Sequence, residues 1–320
     1  MLSAGNMNDF VTKDKTYILQ EGLRDRVKPN WQEMLNPAKQ RVIKINLDEF
    51  SPSVFMAERN LYKFNESLVD RKILEVGCNE GARSFLMAKY QDTYVHGIDV
   101  DEYTVDQSPD LNVWNPNDIK FVHDKFDERR LEVSKQFPMN VVNKVTFETT
   151  NIETYKVYEL YDVVASWDTI EHIIDLPTAF KNMADCLIKD GISYHEYNPF
   201  FAFNGGHSLC TLDFLYGHCI LSKDDFERYV KEIRPEEEKI DINFYNKCLN
   251  RASIADVRKY AEDAGFEVLQ LSGTPSFGRS TIDWKDNIGQ NVLPQVIKNY
   301  PTVIIDDLLC DNVILILRKK

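Results

Sequence analysis

The chain has 320 residues and a formal net charge of −13 at pH 7, with a sequence pI near 5.0. This acidic balance opposes a surface that binds nucleic acid or anionic membranes, because phosphate groups need a cationic footprint. Hydrophobic residues make up 43% of the chain, which is enough for a substantial core and argues against intrinsic disorder.

Cysteine usage and hydropathy predict the cellular compartment. The six cysteines include no C-x-x-C pair, and the first ten residues lack the apolar segment of a signal peptide. No apolar run approaches the roughly 20 residues of a membrane span. We therefore expect free thiols, a cytoplasmic location and no membrane insertion.

From the N-terminus, residues 1–56 read as a cap interrupted by Pro29 and Pro37, and a helix is predicted over Ala57–Leu68. Short apolar runs and helical patterns then alternate. The predicted strands are 72–77, 94–100, 144–149, 161–166, 191–197, 266–271 and 312–318, and the predicted helices between them are 83–90, 127–137, 176–188 and 253–264. Such alternation is typical of an α/β fold with a doubly wound, seven-stranded, mostly parallel sheet that binds ligands at the carboxyl ends of its strands.

A long segment rich in Phe, Tyr, Gly and His interrupts this alternation after the fifth predicted strand. We predict three units: an N-terminal helical cap (1–56), an α/β core (57–198 and 251–320) and an inserted substrate lid (199–250). Ser253 is the predicted N-cap of the helix that follows the lid, and Gly265 is its predicted end.

A glycine loop, Glu75-Val76-Gly77-Cys78-Asn79-Glu80-Gly81, joins the first predicted strand to the next helix. Glycines allow a tight turn and close approach of the backbone to a ligand. A dinucleotide fingerprint would need a glycine at Asn79, and Glu75 and Glu80 place negative charge where phosphates would bind. The acids suit the cationic S-adenosylmethionine better, and they disfavour an NAD-linked dehydrogenase.

Asp99 ends the second predicted strand, about 20 residues after the glycine loop. At that spacing a carboxylate can accept hydrogen bonds from both hydroxyls of a ribose. An exposed turn acid is the alternative, and the glycine loop at the matching position favours the ribose role.

These motifs, together with the segment from Tyr161 to Ile173, resemble the class I S-adenosylmethionine-dependent methyltransferases of the small-molecule or sugar type. The resemblance covers about 57–198 and 251–320 and implies a Rossmann-like fold that binds S-adenosylmethionine and releases S-adenosylhomocysteine. The residues that it implies for cofactor binding are Glu75, Gly77, Cys78, Asn79, Gly81, Asp99, Val100, Asn151, Ile152 and Asp168.

Within the resemblance, Asn151 takes the position of an acid that usually contacts the adenine amine, and Glu153 is an alternative. Asp168 is expected near the sulfonium. Glu171-His172 is similar to a pair that is often structural in this family, where it braces the helix after the fourth strand.

The lid segment and the end of the fifth predicted strand are expected to bind the acceptor, because aromatic, amide and imidazole groups in a glycine-broken loop suit a polar pocket. His195 is the predicted general base, with His207 as its rival, His218 a weaker candidate, and Asp168 or Glu196 orienting the imidazole. The predicted substrate-binding residues are Glu196, Asn198, Phe201, Asn204 and His207. The histidine spacings match no compact zinc pattern, so no metal is predicted.

The predicted function is methyl transfer from S-adenosylmethionine to an oxygen of a small or carbohydrate-like acceptor, in the manner of enzymes of bacterial surface-polysaccharide or secondary-metabolite biosynthesis. The expected partner is a small-molecule or sugar acceptor, and the oligomeric state is left open. A small-molecule N-methyltransferase and a non-catalytic cofactor-binding or scaffold protein are the alternatives.

Overall fold

The computed structural model describes residues 9–27, 45–90, 92–106, 108, 110–275 and 282–320. Much of the predicted N-terminal cap, including Pro29 and Pro37, therefore lies outside the described residues. The described part of the cap begins with a two-stranded hairpin and a short helix: β1 (Asp9–Val11), β2 (Thr16–Ile18) and α1 (Leu23–Val27).

A seven-stranded sheet forms the centre of the molecule, with the strand order β5-β4-β3-β6-β7-β9-β8. Its strands are β3 (Lys72–Val76), β4 (Tyr94–Asp99), β5 (Val145–Thr149), β6 (Tyr161–Trp167), β7 (Leu187–Tyr197), β8 (Phe266–Pro275) and β9 (Cys310–Lys319). The strands from β3 to β7 pair in parallel, and β9 is antiparallel to both β7 and β8. The predicted doubly wound, mostly parallel sheet is confirmed.

Helices flank the sheet and build the region beyond β7. They are α2 (Ser51–Tyr62), α3 (Ala82–Tyr90), α4 (Asp101–Asp106), α5 (Pro116–Ser134), α6 (Met139–Val142), α7 (Leu176–Cys186), α8 (His207–Cys210), α9 (Gly217–Ile220), α10 (Lys223–Ile233), α11 (Glu238–Asn243), α12 (Ile254–Asp263), α13 (Ile282–Asn287), α14 (Leu293–Asn299) and α15 (Ile305–Leu309). No helix among the described residues has the length and apolar character needed to cross a bilayer.

Helix ends follow local chemistry. The helix predicted over 57–68 begins earlier, at Ser51, because Pro52 occupies its first turn, where the missing N–H of proline costs no hydrogen bond. It ends before Asn65, whose φ of +59° is not helical. Ser253 caps α12 as predicted, through a reciprocal capping box with Asp256.

The hydrophobic interior has two main parts. One part packs the sheet against its flanking helices. The other is a second core built by the predicted lid segment together with the hairpin and the helices between β8 and β9. Its members include Phe10, Phe200, Phe201, Phe226, Tyr229, Tyr245, Ile288, Val296 and Leu308. The lid segment thus packs against the N-terminal hairpin on one side of the sequence and against helices near the C-terminus on the other.

Candidate functional site

A cavity of about 960 Å³ opens at the carboxyl ends of β3 to β7. Its walls include residues at the ends of these strands and directly after them: 75–80, 98–100, 150–153 and 167–169, together with Glu196 and Asn198. The order of the strands reverses between β3 and β6, and ligands of doubly wound sheets bind in the crevice at such a switch point.

The glycine loop follows β3 and is shaped by contacts within the protein. Gly77 has φ +75°, and a Cβ on it would lie 2.2 Å from the Thr169 Oγ1. Gly81 has φ +77°, and its Cβ would lie 2.3 Å from the ring of Phe147. Gly81 is not among the residues that line the cavity. Both glycines are therefore required by neighbouring side chains, a reason that the sequence motif alone does not provide.

Asp99 lies at the end of β4 and is held by the glycine loop. Its two carboxylate oxygens accept hydrogen bonds from the backbone N–H groups of Asn79, at 2.6 Å, and Val100, at 2.7 Å. Burial raises the pKa of this carboxyl above its usual value. Asp99, Val100 and Asn79 all line the cavity, and a carboxylate oxygen with one donor still has a lone pair for a ligand hydroxyl.

A buried carboxyl group lies beneath the loop. Glu75 is only 2% exposed, accepts a hydrogen bond from the Ser84 hydroxyl and lines the cavity. Burial raises its pKa to about 7. The group thus titrates near neutrality, and a cation bound beside it would favour its charged form.

Arg130, on α5, contacts the glycine loop. Its Nε donates to the carbonyl oxygen of Asn79 at 2.9 Å, and its guanidinium lies 4.9 Å from the ring centroid of Phe147. No local sequence pattern indicated Arg130, because α5 reaches the loop only through the tertiary fold.

The predicted adenine contacts lie after β5 and are tied to one another. The Asn151 side-chain oxygen accepts from the N–H of Glu153 at 2.8 Å, so it already has one partner. The Asn182 amide donates to the carbonyls of Ile152 and Glu153 at 2.7 and 2.8 Å. Asn151, Ile152 and Glu153 all line the cavity, and their contacts with adenine stay a prediction.

Asp168 follows β6 and lines the cavity with an exposed carboxylate. The backbone there has φ +51°, and the carboxylate lies 3.5 Å from the Arg83 guanidinium. Arg83 lies between the rings of Phe50 and Trp167, at 5.2 and 5.4 Å from their centroids. Left-handed backbone is uncommon at non-glycine residues, but aspartate and asparagine adopt it more readily than other side chains.

Four of the five predicted substrate residues line the cavity: Glu196, Asn198, Asn204 and His207. The Asn198 amide donates to the side-chain oxygen of Asn204 at 3.0 Å and to the carbonyl of Asp311 at 2.5 Å. The Glu196 carboxylate accepts from the Asn312 amide at 2.7 Å. The structure thus brings these residues together at the end of the cavity formed beyond β7.

Two histidines meet at this end of the cavity. The rings of His172 and His207 are 4.8 Å apart between centroids, and both residues line the cavity. The Nδ1 of His172 lies 2.6 Å from the carbonyl oxygen of Cys248, and its Nε2 lies 3.1 Å from the Tyr103 hydroxyl. The family resemblance favoured a structural role for His172, and no sequence pattern indicated Tyr103, because only the fold brings these residues together at the cavity.

His195 does not line the cavity, and the prediction that it acts as the general base is wrong. β7 continues to Tyr197, and His195 is fully buried inside it. Its Nδ1 is 2.7 Å from the Ser166 hydroxyl, and its Nε2 is 2.6 Å from the Ser193 hydroxyl. Burial lowers its pKa to about 3. A ring without access to the cavity and with both nitrogens occupied does not suit a general base.

Phe201 and His218 also face the protein interior. Phe201 is 1% exposed and packs in the second core against the ring of Tyr300, so the structure does not support its expected contact with the acceptor. His218 is buried, with its Nε2 2.8 Å from the carbonyl oxygen of Phe200, and burial lowers its pKa to about 4.

The chain is similar in sequence to one family of known proteins and in fold to several solved structures. The sequence model of a family described as a methyltransferase domain matches residues 40–271. A putative sarcosine dimethylglycine methyltransferase from Galdieria sulphuraria is 13% identical, with 85% of each chain covered and a TM-score of 0.47. An S-adenosylmethionine-dependent methyltransferase from Mesorhizobium loti is 10% identical, with 86% of this chain and 100% of that chain covered and a TM-score of 0.48. No curated protein sequence matches the chain.

A third solved structure is a geranyl diphosphate methyltransferase in complex with GPP and sinefungin. It is 11% identical, with 84% of this chain and 79% of that chain covered and a TM-score of 0.48.

Proposed function

The chain belongs to the methyltransferase domain family, and from this premise we propose that it transfers a methyl group from S-adenosylmethionine to a hydroxyl oxygen of a small, carbohydrate-like acceptor. This acceptor is favoured by the polar end of the cavity beyond β7, which is lined by amide, imidazole and carboxylate side chains. A place in surface-polysaccharide or secondary-metabolite biosynthesis, and in the cytoplasm, belongs to the same proposal.

The cofactor end of the cavity fits S-adenosylmethionine. The Asp99 carboxylate is positioned as an acceptor for two ribose hydroxyls, and Glu75 and Asp168 supply negative charge for the ammonium and sulfonium groups. The cavity volume of about 960 Å³ is near the upper end of the range for small-molecule sites, so an acceptor has room beside the cofactor.

The acceptor end favours a hydroxyl-rich molecule over an aromatic or prenyl one. The segment after β7 contains many phenylalanines, but Phe200 and Phe201 are each only 1% exposed and pack in the second core. Asn198, Asn204 and His207 line the cavity instead. Side chains that both donate and accept hydrogen bonds match hydroxyl groups, which do the same.

S-adenosylmethionine supplies a methyl group that is already activated by its sulfonium. The protein must then position the acceptor in line with that group and take up the acceptor's proton. His207 replaces His195 as the proposed proton acceptor, because it is the predicted candidate whose ring lines the cavity. Removing a general base lowers rates by about 10²–10⁴, so His207→Ala should lower kcat by that order and leave S-adenosylhomocysteine binding unchanged.

The proposal is tested by calorimetry with S-adenosylhomocysteine, followed by transfer of labelled methyl groups to a panel of monosaccharides, nucleotide sugars and small amines. Label on a hydroxyl of a sugar supports the proposal. Label only on amines would assign the N-methyltransferase alternative, and cofactor binding without transfer to any member of the panel would favour a non-catalytic binding protein.

A further inference from the structure

We propose that a divalent transition-metal ion binds at the acceptor end of the cavity through the imidazoles of His172 and His207, which line it, and through the buried carboxylate of Glu171, with the side-chain oxygen of Asn198 as a fourth ligand. The ion binding site stands on geometry alone. Its use in catalysis, as the group that orients and activates an acceptor hydroxyl, rests on the proposed O-methyl transfer.

The three main ligands converge in space. One ligand atom from each of Glu171, His172 and His207 can be chosen so that all three lie within 4.8 Å of one another. Ligand atoms around a tetrahedral zinc ion at about 2.1 Å lie roughly 3.4 Å from one another. The widest ligand pair must therefore close by up to about 1.4 Å when the ion binds, through rotation of the three side chains.

His172 is already in the tautomer that a metal ligand needs. Its Nδ1 lies 2.6 Å from the carbonyl oxygen of Cys248, which only accepts hydrogen bonds, so Nδ1 carries the proton. The lone pair is then on Nε2, which faces the Tyr103 hydroxyl at 3.1 Å. A backbone carbonyl that holds the far nitrogen of an imidazole is the usual outer support of metal-binding histidines.

Asn198 supplies an independent observation. It is only 9% exposed, and its side-chain oxygen has no hydrogen-bond partner among the described residues. The orientation of the amide follows from its nitrogen, which donates to the carbonyl oxygen of Asp311. The backbone N–H of Asn198 donates to the Glu171 carboxylate at 3.1 Å, so Asn198 is next to one of the three main ligands. A buried amide oxygen without a partner is costly, and a cation would satisfy it.

The donor set selects the kind of ion. Two imidazoles with a carboxylate and an amide oxygen suit Zn²⁺, Mn²⁺ or Fe²⁺, whereas Mg²⁺ and Ca²⁺ prefer oxygen ligands throughout. The spacing of histidines along the sequence predicted no metal. Spacing along the sequence could not reveal this site, because His172 follows β6 and His207 begins α8, and these two segments are distant in sequence.

The chemical step balances with the ion as a Lewis acid. A hydroxyl bound to the ion loses its proton to solvent, and the oxygen lone pair forms the new bond to the methyl carbon. The carbon–sulfur bond of S-adenosylmethionine breaks, and its electron pair stays on sulfur to give neutral S-adenosylhomocysteine. As a metal ligand His207 takes up no proton, so its proposed role as proton acceptor applies only if the protein uses no ion in catalysis.

The test begins with metal binding, measured apart from turnover. The full chain is stripped with a chelator and titrated with Zn²⁺ and Mn²⁺ by calorimetry. One equivalent should bind the wild type and His96→Gln, a matched change at a histidine on β4 outside the cavity. Glu171→Gln and His207→Ala should each weaken binding by about 100-fold or more, since loss of even outer-shell partners costs 10–100-fold. Absence of binding to the wild type, or unchanged affinity in both variants, overturns the site.

A gain-of-affinity variant keeps the test decisive if the other variants fold poorly. Asn198→Asp adds a charged ligand oxygen and should tighten binding by about tenfold; unchanged or weaker binding counts against the site. Activity then separates the two proposals. Turnover that persists in metal-free protein overturns the catalytic use of the ion, whereas metal binding without transfer to any hydroxyl overturns the proposed O-methyl transfer and leaves the site intact.

Discussion

At the scale of single residues, Asp99 is positioned before any ligand binds, because two backbone N–H groups hold its carboxylate. Asp99→Ala should weaken S-adenosylhomocysteine binding by tenfold or more, since hydrogen bonds to a charged group contribute about 1.5–3 kcal/mol. Calorimetry measures the dissociation constant.

The matched control for this change is Asp106→Ala. Asp106 also lines the cavity, but it pairs with Lys247 at 3.0 Å. Its removal should leave cofactor affinity unchanged. Equal losses in the two variants would contradict a specific ribose contact at Asp99.

His195 predicts a pH dependence of stability. The unfolded chain binds a proton at this residue below about pH 6.5, whereas burial between Ser166 and Ser193 lowers the folded-state pKa to about 3. The unfolded state therefore binds more protons between these values, and the free energy of unfolding falls as the pH falls, by up to about 1.4 kcal/mol per pH unit. Stability from this group is fully present above pH 6.5.

The experiment is urea unfolding of the wild type and His195→Gln from pH 7.5 to pH 5. The difference in unfolding free energy between them should shrink as the pH falls, because glutamine takes up no proton. His96→Gln, at a more exposed histidine, serves as the control. His195→Gln should also keep measurable methyl transfer, and a loss of kcat by 10² or more at unchanged stability would return the residue to the active site.

At the scale of elements, a glycine can be needed for its backbone conformation or for the space that a Cβ would fill. The glycine loop and the end of α12 allow these two reasons to be compared. Gly77 and Gly265 both have positive φ, but a Cβ at Gly77 meets the Thr169 side chain, whereas a Cβ at Gly265 meets nothing within 4 Å. Gly265→Ala should cost about 1–2 kcal/mol, the strain of left-handed backbone alone. Gly77→Ala should cost more and should also weaken S-adenosylhomocysteine binding. Similar losses of stability in thermal unfolding would show that the contact with Thr169 relaxes freely.

Two residues in the turn after β7 lie in different environments. Phe201 is buried in the second core, and Asn204 lines the cavity. Phe201→Ala should lower the free energy of unfolding by about 3–5 kcal/mol. Asn204→Ala should raise the KM for the acceptor and leave cofactor affinity unchanged. Parallel changes in acceptor KM and cofactor affinity for Asn204→Ala would place this residue in the cofactor site instead.

At the scale of the whole molecule, the hairpin near the N-terminus completes the second core. The ring of Phe10 is 1% exposed and packs edge-on against Tyr229, with 5.1 Å between ring centroids. Phe10→Ala should therefore destabilise the protein by about 3–5 kcal/mol, and Val11→Ala, at a side chain that is 56% exposed, by less than about 0.5 kcal/mol. Chemical unfolding of both variants checks this, and equal effects would mean that the hairpin does not stabilise the core.

The sequence by itself determined the parts of the molecule that local physics controls. Apolar runs ending at Gly77 and Asp99 placed β3 and β4, and Ser253 marked the start of α12, because strand patterns, turns and caps depend on residues a few positions apart. Glu75 and Asp99 were also predicted to bind the cofactor from their positions at the strand ends, and both residues line the cavity.

Only the tertiary structure decided which side chains meet at the end of the cavity beyond β7. Residues 191–195 of β7 are all buried, because this strand is paired on both edges, with β6 and with β9, and His195 is enclosed with them. His172, His207 and Asn198 come from segments that are distant in sequence, so no spacing of residues could predict their convergence. The same holds for Arg130, which reaches the glycine loop from α5. Local hydrogen bonding fixes an element, but the site depends on which elements pack together.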